Sequence, residues 1–235
     1  EISCSLVGSE MCIRDSTNIS ISRGYNDDAL YYLSENRKRY GNSPEILYKE
    51  YIILKRTGNR KAATGKLEGY VRMNPDDSEM KNELSLMKTE IADEYMHNDM
   101  FDEAIPNLES ALDYSEDKEI SSSIINKLLY CYLESNWNVK AIELIDSVRN
   151  SENNSLIYAE QKAEALHGMG KSGMAISELE RTGNSNTETY DNISLDYVKR
   201  LTEAGAEKKA YNVSKNWTET VSYTHLRAHE TAANL

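Results

Sequence analysis

The sequence predicts an all-α protein built from antiparallel helix pairs, and three observations support this fold class. The 235 residues include 3 prolines, 1 phenylalanine and 16 tyrosines, and the many Glu, Lys, Leu and Ala residues favour helices over a β-sandwich. A short motif returns at a nearly constant step along the chain. A glycine, aspartate or asparagine stands five residues before the alanine of each motif, where one helix would end and the chain would turn into the next.

The motif occurs six times, each time as a turn residue, several polar positions and an alanine. The steps between successive alanines are 34, 41, 37, 34 and 35 residues. A period near 34 residues with a small residue at a fixed place is typical of helix-turn-helix arrays. The turn residues and alanines are, in chain order, Gly24 and Ala29, Gly58 and Ala63, Asp99 and Ala104, Asn136 and Ala141, Gly170 and Ala175, and Gly205 and Ala210.

Apolar residues at helical spacing complete each copy of the motif. Ala104 is followed by Leu108 and Ala111, which lie on one face of a helix with 3.6 residues per turn. The alanine is expected where two helices cross closely, because a larger side chain would push them apart. The two longest steps predict longer helices or loops in those copies. The helices before the turns carry a similar stripe, formed by Leu47, Tyr51 and Leu54, by Ile91 and Tyr95, by Ile125, Leu129 and Tyr132, and by Ala159, Ala163 and Leu166.

With these motifs the chain resembles the tetratricopeptide repeat family, in a divergent bacterial form. Residues 44–77 match the family pattern over a whole unit, which closes with Asn74, Pro75 and Asp76. The other units lack the closing proline. The resemblance implies a right-handed solenoid of helix pairs whose first helices line a concave groove. The predicted boundaries are a partial unit over residues 17–43 and units near 44–77, 85–118, 122–155, 156–189 and 191–220.

Both ends of the chain resemble translated adapter DNA. Residues 6–15 (LVGSEMCIRD) can be back-translated into codons whose reverse complement encodes VSYTHLRAHE, which is residues 221–230. No fold requires one end of a chain to be the antisense of the other. Residues 1–16 and 221–235 are therefore interpreted as non-native tails and excluded from the fold prediction. The repeat domain is predicted over residues 17–220, as a fragment of a larger protein.

The charge of the chain argues against a nucleic-acid partner. The net charge is −12, and it becomes −10 without the two adapter-like tails, which hold four acidic and two basic residues. Such a chain repels phosphate backbones. No apolar run approaches the roughly 18 residues of a membrane span, so no direct membrane insertion is expected. Without the tails Cys131 is the single cysteine, which leaves the compartment open between cytoplasm and periplasm.

No catalytic, metal or cofactor site is predicted, and the chain is interpreted as non-enzymatic. The segment ALHGMGKS, residues 165–172, resembles a phosphate-binding loop, but a helix is predicted where that loop requires a strand. His97 and His167 lack further ligands at metal spacing. Cys131, between two tyrosines, is interpreted as a small buried hydrophobe. No Ser/His/Asp or Cys/His set can be assembled from the sequence.

The groove implied by the resemblance is the candidate binding site for a protein or peptide. Tyr48 and Tyr130 fall on its first-helix face, and aromatic side chains with a polar tip are favoured at binding surfaces. Some family members clamp a peptide carboxylate with Lys and Asn side chains, and that mode is not expected here, because the matching positions hold Tyr48, Thr89, Asn126 and Glu160, and then Ile52, Asp93, Tyr130 and Glu164. Packing positions are assigned to Tyr51, Tyr70, Tyr95 and Tyr132. The candidate groove consists of Tyr48, Ile52, Lys55, Asp93, His97, Asn126, Tyr130, Glu164, His167 and Lys199.

Three functions follow from these observations. The first is a non-enzymatic interaction scaffold that holds a peptide or a helix in the groove. The second is the repeat region of a bacterial cell-envelope or outer-membrane export protein. The third is a set of regulatory repeats attached to an enzyme or signalling domain elsewhere in the intact protein. The sequence that flanks the repeats in the intact gene would discriminate among them.

Overall fold

The structure, a computed structural model, describes residues 9–219, and in this range it contains α-helices and no strand. The all-α fold class is thereby confirmed. The adapter-like residues 1–8 and 221–235 lie outside the described residues. A further helical run covers residues 207–219. The named helices are α1 (Ser9–Arg23), α2 (Asn26–Tyr40), α3 (Pro44–Arg56), α4 (Arg60–Met73), α5 (Ser78–Met96), α6 (Phe101–Tyr114), α7 (Lys118–Glu134), α8 (Asn138–Ser151), α9 (Ala159–Gly168), α10 (Ser172–Thr182) and α11 (Glu188–Glu203).

The chain divides into two compact units, residues 1–127 and 128–235. In the first unit α1 packs on α2, α3 on α4, and α5 on α6. In the second unit α9 packs on α8, α10 and α11. Consecutive helices are joined by turns of only a few residues, so the partners of each such pair run antiparallel.

The partial unit predicted over residues 17–43 begins inside a helix. The structure has a helix pair in this region, because residues 17–23 continue the helix that begins at Ser9. Thr17 and Ser20 on this helix are buried.

All six predicted turn residues adopt left-handed backbone conformations. The aspartate and asparagine do so as the four glycines do, and these two residue types tolerate positive φ better than other side chains. The turn positions read from the sequence are therefore confirmed. The φ angles are +78° at Gly24, +77° at Gly58, +56° at Asp99, +57° at Asn136, +75° at Gly170 and +70° at Gly205.

The six motif alanines are buried, as predicted. Five of them expose 0% of their surface, and Ala210 exposes 6%. Helices α5 and α6 approach closely seven residues after the motif alanine Ala104, where the Ser85 hydroxyl donates a hydrogen bond to the Ala111 carbonyl at 2.8 Å. A backbone carbonyl of α6 is thus within reach of a short side chain on α5.

The two longest repeat steps are accommodated by longer first helices. Helix α5 has 19 residues and α7 has 17, whereas α3 has 13. The starts of several helices are set by capping side chains, as at α3, where Ser43 accepts a hydrogen bond from the Ile46 amide and Pro44 occupies the first turn. Asp77 caps α5 in the same way.

Helix α4 contains two interior glycines with different surroundings. A Cβ atom at Gly69 would lie 3.3 Å from Cδ1 of Leu47, so this glycine allows α3 and α4 to approach. A Cβ atom at Gly65 would meet no described atom within 4 Å. Packing within the described chain therefore does not require glycine at position 65, where it lowers helix stability by about 0.5–1 kcal/mol relative to alanine.

Candidate functional site

The first helices of unit 1 are neighbours, connected by ion pairs between residues far apart in sequence. Lys55 on α3 pairs with Glu83 on α5. Lys127 on α7 donates to both carboxylate oxygens of Asp93 on α5, each at 2.6 Å. Three successive first helices thus contribute to one face of this unit, which we call the first-helix face.

The predicted groove residues of unit 1 all have accessible surface. None of them is a buried core residue, and their assignment to a binding groove stays a prediction. Ile52 and Asp93 are half-buried. The exposed members are Tyr48, Lys55, His97 and Asn126.

Tyr48 is an exposed aromatic side chain on a rigid support. It exposes 38% of its surface, whereas Tyr51, on the same helix, exposes 2%. The Tyr48 ring lies 5.5 Å from the ring of Tyr70 and 5.9 Å from that of Tyr51, centroid to centroid. These contacts restrict its rotamers, so little side-chain entropy remains to be lost on binding a partner.

The two charged candidates of unit 1 are already compensated within the chain. The hydrogen bond to Glu83 raises the pKa of Lys55, and Tyr51 also donates to that carboxylate at 2.9 Å. Asp93 is bound by Lys127. Because both charges are paired within the chain, they add little net charge to the first-helix face.

A shallow hollow of about 290 Å³ adjoins Lys55, and sequence reasoning did not find it. It lies between the end of α3, the turn at Gly58 and helix α5. Leu86, 43% exposed, lines the hollow. The rim includes Arg60, whose Nε lies 3.1 Å from Oε2 of Glu90. An apolar side chain of a partner could bury Leu86 here without leaving these rim charges unpaired.

The candidates of unit 2 differ in exposure, and one of them, Glu164, lies beside other carboxylates. Tyr130, Glu164 and Lys199 are exposed, and His167 is half-buried. Although the residue as a whole is exposed, desolvation of its carboxyl group raises the pKa of Glu164, and the nearby carboxylates of Glu160 and Glu134 raise it further.

A serine, a histidine and an aspartate meet in unit 2, which corrects the prediction that no such set assembles. His167 Nδ1 lies 3.0 Å from the Ser172 hydroxyl, and His167 Nε2 lies 3.4 Å from Asp196. Sequence spacing gives no signal for this cluster, because Asp196 comes from another repeat. Ser172 exposes 2% of its surface at the start of α10, so a substrate carbonyl cannot reach its hydroxyl. Asp196 also binds Arg200 at 2.6 Å. The cluster joins α9, α10 and α11.

Stability is expected to fall as His167 becomes protonated. Burial lowers the pKa of His167; Asp196 opposes this shift and Arg200 adds to it. Because the folded-state pKa lies below the unfolded value of 6.5, the unfolded chain binds the proton first and stability is lost as the pH falls below about 6.5. Urea denaturation of the parent chain and His167→Gln at several pH values checks this. The parent should lose more stability than the variant on acidification, and parallel pH profiles would contradict the prediction.

The segment that resembles a phosphate-binding loop belongs to the repeat. Helix α9 occupies the place where such a loop requires a strand, and Gly170 is the left-handed turn residue before α10. Among the residues that the structure describes, no group of three or more His, Cys, Asp or Glu side chains could hold a metal ion. Cys131 is buried, as predicted. No helix in the described range is long and apolar enough to cross a membrane.

Comparison with known proteins supplies structural likenesses only. No protein-family model matches the chain, and the search of curated proteins found no match. The P58(IPK) TPR domain is similar at 17% identity, over 81% of this chain and 55% of that one, with a TM-score of 0.43. MamA from Desulfovibrio magneticus RS-1 matches at 17% identity over 73% of this chain and 92% of that one, with a TM-score of 0.34.

A tetratricopeptide repeat protein from Parabacteroides merdae matches at 14% identity over 91% of this chain and 83% of that one, with a TM-score of 0.36. The chain spans about half the length of the P58(IPK) domain. The tetratricopeptide-like fold itself rests on the left-handed turns, buried alanines and helix pairs described above.

Proposed function

We propose that this chain is a non-enzymatic protein-interaction scaffold that binds a peptide or a helix of a partner protein on the first-helix face of unit 1. The observation that carries the proposal is the exposure of Tyr48, at 38%, directly beside the buried Tyr51. Both tyrosines lie on α3, but only Tyr51 is buried in the core, whereas Tyr48 keeps an exposed part that a partner can contact. An exposed and rigidly supported tyrosine is typical of the anchors of protein interfaces.

The surroundings of Tyr48 favour recognition by apolar and hydrogen-bonding groups. Lys55 and Asp93 are neutralised by their own partners, so a partner gains little from a strong charge here. Asn126 is an exposed hydrogen-bonding side chain on α7. The hollow beside Leu86 can accept an apolar side chain. We expect a partner segment that presents apolar side chains among neutral polar ones.

Replacing Tyr48 by alanine should lower the affinity for such a partner about tenfold or more while leaving the fold intact. Interface aromatic residues commonly contribute over about 1 kcal/mol to binding. The measurement is selection of displayed random peptides on the full chain, followed by affinity determination of the selected peptides on Tyr48→Ala. The matched control is Tyr31→Ala, which removes a tyrosine 61% exposed on the second helix α2 of the same unit.

Equal affinities for the parent chain and Tyr48→Ala would contradict the assignment of the first-helix face. So would equal losses in the Tyr48 and Tyr31 variants, or unfolding of Tyr48→Ala. Tyr130→Ala applies the same test to unit 2, where Tyr130 is 49% exposed.

A further inference from the structure

A second surface of unit 1 is a cleft of about 400 Å³ among α2, α3 and α4. Cations on two helices line it, namely Arg37 on α2 and Lys66 and Arg72 on α4. No carboxylate is among the described residues that line it. The local charge is therefore opposite in sign to the net charge of −12 carried by the whole chain.

One buried carboxylate serves two of these cations. Glu50, 4% exposed, lies 3.3 Å from Arg37 Nη1 and 2.7 Å from Lys66 Nζ. A single negative charge leaves one positive charge of this group uncompensated. Arg72 is held more loosely, since its guanidinium lies 3.7 Å from Glu68 and its side chain is 75% exposed. Glu68 is also shared with Lys88, at 3.5 Å, so positive charge exceeds negative charge at each end of the cleft and an anionic group can bind there.

Another polypeptide could approach the floor of the cleft closely. Gly65 and Gly69 both line it. The absent side chain at Gly65 leaves open space, as no described atom lies within 4 Å of the position of its Cβ. Packing within the described chain therefore does not require glycine at position 65, and glycine there lowers the stability of α4. A bound backbone lying against α4 would account for it.

We infer that this cleft binds an extended acidic segment of a partner protein, independently of the first-helix face proposed above. Lys66 and Arg72 are six residues apart on α4, which corresponds to about 9 Å along the helix axis. In an extended chain, residues i and i+2 point to the same side and lie about 7 Å apart. Two carboxylates in a Glu-x-Glu arrangement therefore match the two cationic ends, given the reach of Lys and Arg side chains.

A nucleic acid fits this cleft less well than a peptide does. Its phosphates place a charge about every 1.7 Å along the duplex axis, and they would continue beyond the three cations onto the acidic surface of the protein. A short peptide with two carboxylates ends its charge within the cleft. The positive charge of the cleft and the short length over which it extends thus favour an acidic peptide.

The test compares two pools of short random peptides, one with fixed glutamates at positions i and i+2 and the other with glutamines there. Both are titrated onto the full chain and onto three variants. Gly65→Leu fills the open space, and Arg72→Glu reverses the charge of an exposed side chain. Lys61→Glu, the control, reverses an exposed charge on the same helix that does not line the cleft. Circular dichroism and thermal unfolding verify that each variant folds.

Peptides selected from the glutamate pool should bind the parent at least about tenfold more tightly than their glutamine counterparts. Gly65→Leu and Arg72→Glu should each lower the affinity for these peptides about tenfold or more. Lys61→Glu and Tyr48→Ala should change that affinity less than about threefold. Raised salt should weaken binding. If Tyr48→Ala alone lowered the affinity, these peptides would be assigned to the first-helix face and the inference would be overturned.

Equal binding of the two pools, or no effect of Gly65→Leu, would also overturn it. Two other occupants are examined with the same variants. A dimer of the chain that Gly65→Leu dissociates in analytical ultracentrifugation, without glutamate-dependent peptide binding, would identify a second copy as the occupant. Preferential binding of a single-stranded oligonucleotide, lost in Arg72→Glu, would identify a nucleic acid. Either result would reject the acidic peptide.

Discussion

Leucine in place of Ala104 is expected to lower the free energy of unfolding by about 1–3 kcal/mol. Ala104 exposes 0% of its surface on α6, and α6 packs on α5 closely enough for the Ser85 hydroxyl to reach the Ala111 carbonyl at 2.8 Å. The added carbons of leucine have no space between these helices, so they must separate them or strain their side chains. A loss of this size is a large fraction of typical domain stability.

Urea denaturation followed by circular dichroism measures the effect, and Glu103→Leu is the matched control. Glu103 precedes Ala104 on the same helix and is exposed, so leucine there should change stability by less than about 0.5 kcal/mol. Similar stabilities of the two variants would contradict the view that the motif alanine marks a helix crossing. The same result would weaken the repeat assignment at the other five positions.

Replacing Glu178 by alanine is expected to destabilise the second unit by about 3 kcal/mol. Glu178 accepts a hydrogen bond from Nη1 of Arg149 at 2.7 Å, and Arg149 is only 7% exposed. Burial raises the pKa of Glu178, but hydrogen bonds from Arg149 and Arg181 outweigh this and hold the pKa below its usual value. Without Glu178 the Arg149 guanidinium stays buried with only the Ile157 carbonyl, 2.7 Å from its Nε, described as an acceptor.

The double variant Arg149→Met with Glu178→Leu separates loss of the ion pair from loss of packing. Removing both charges avoids the unpaired buried cation, so this variant should recover most of the stability lost by Glu178→Ala. The contribution of Glu178 should also diminish in acid, because a carboxyl with a lowered folded-state pKa stabilises above its unfolded pKa and loses that effect as the pH falls. Equal instability of the single and double variants would show that packing alone is involved.

The turn and alanine positions were predictable because they depend on short segments. A helix that ends and reverses within a few residues needs a left-handed residue, which restricts the choice to glycine, asparagine or aspartate. Asp99 and Asn136 meet this need as Gly58 does. The alanine follows at a fixed distance, so both features repeat in register and stand out against the variable positions.

The tyrosines show which features of the candidate site can be predicted from helical periodicity. Tyr51 and Tyr132 were predicted to pack and expose 2% and 4%, whereas Tyr48 and Tyr130 were predicted to lie on an open face and expose 38% and 49%. Helical spacing determines which side of a helix a residue occupies. It does not determine what lies opposite, and binding by Tyr48 and Tyr130 remains a prediction.

The sequence by itself determined the helix pairs, their turns and the small residues at their crossings, because these are set by contacts within one helix or across one turn. Only the tertiary structure decided which charges are neutralised. The pairs Lys55–Glu83 and Asp93–Lys127 join residues of different repeats, and so does the contact of His167 with Asp196. The cleft beside Gly65 likewise requires three helices to be placed together. Electrostatic energy depends on distances of a few ångströms between side chains, and those distances exist only once the helices have packed.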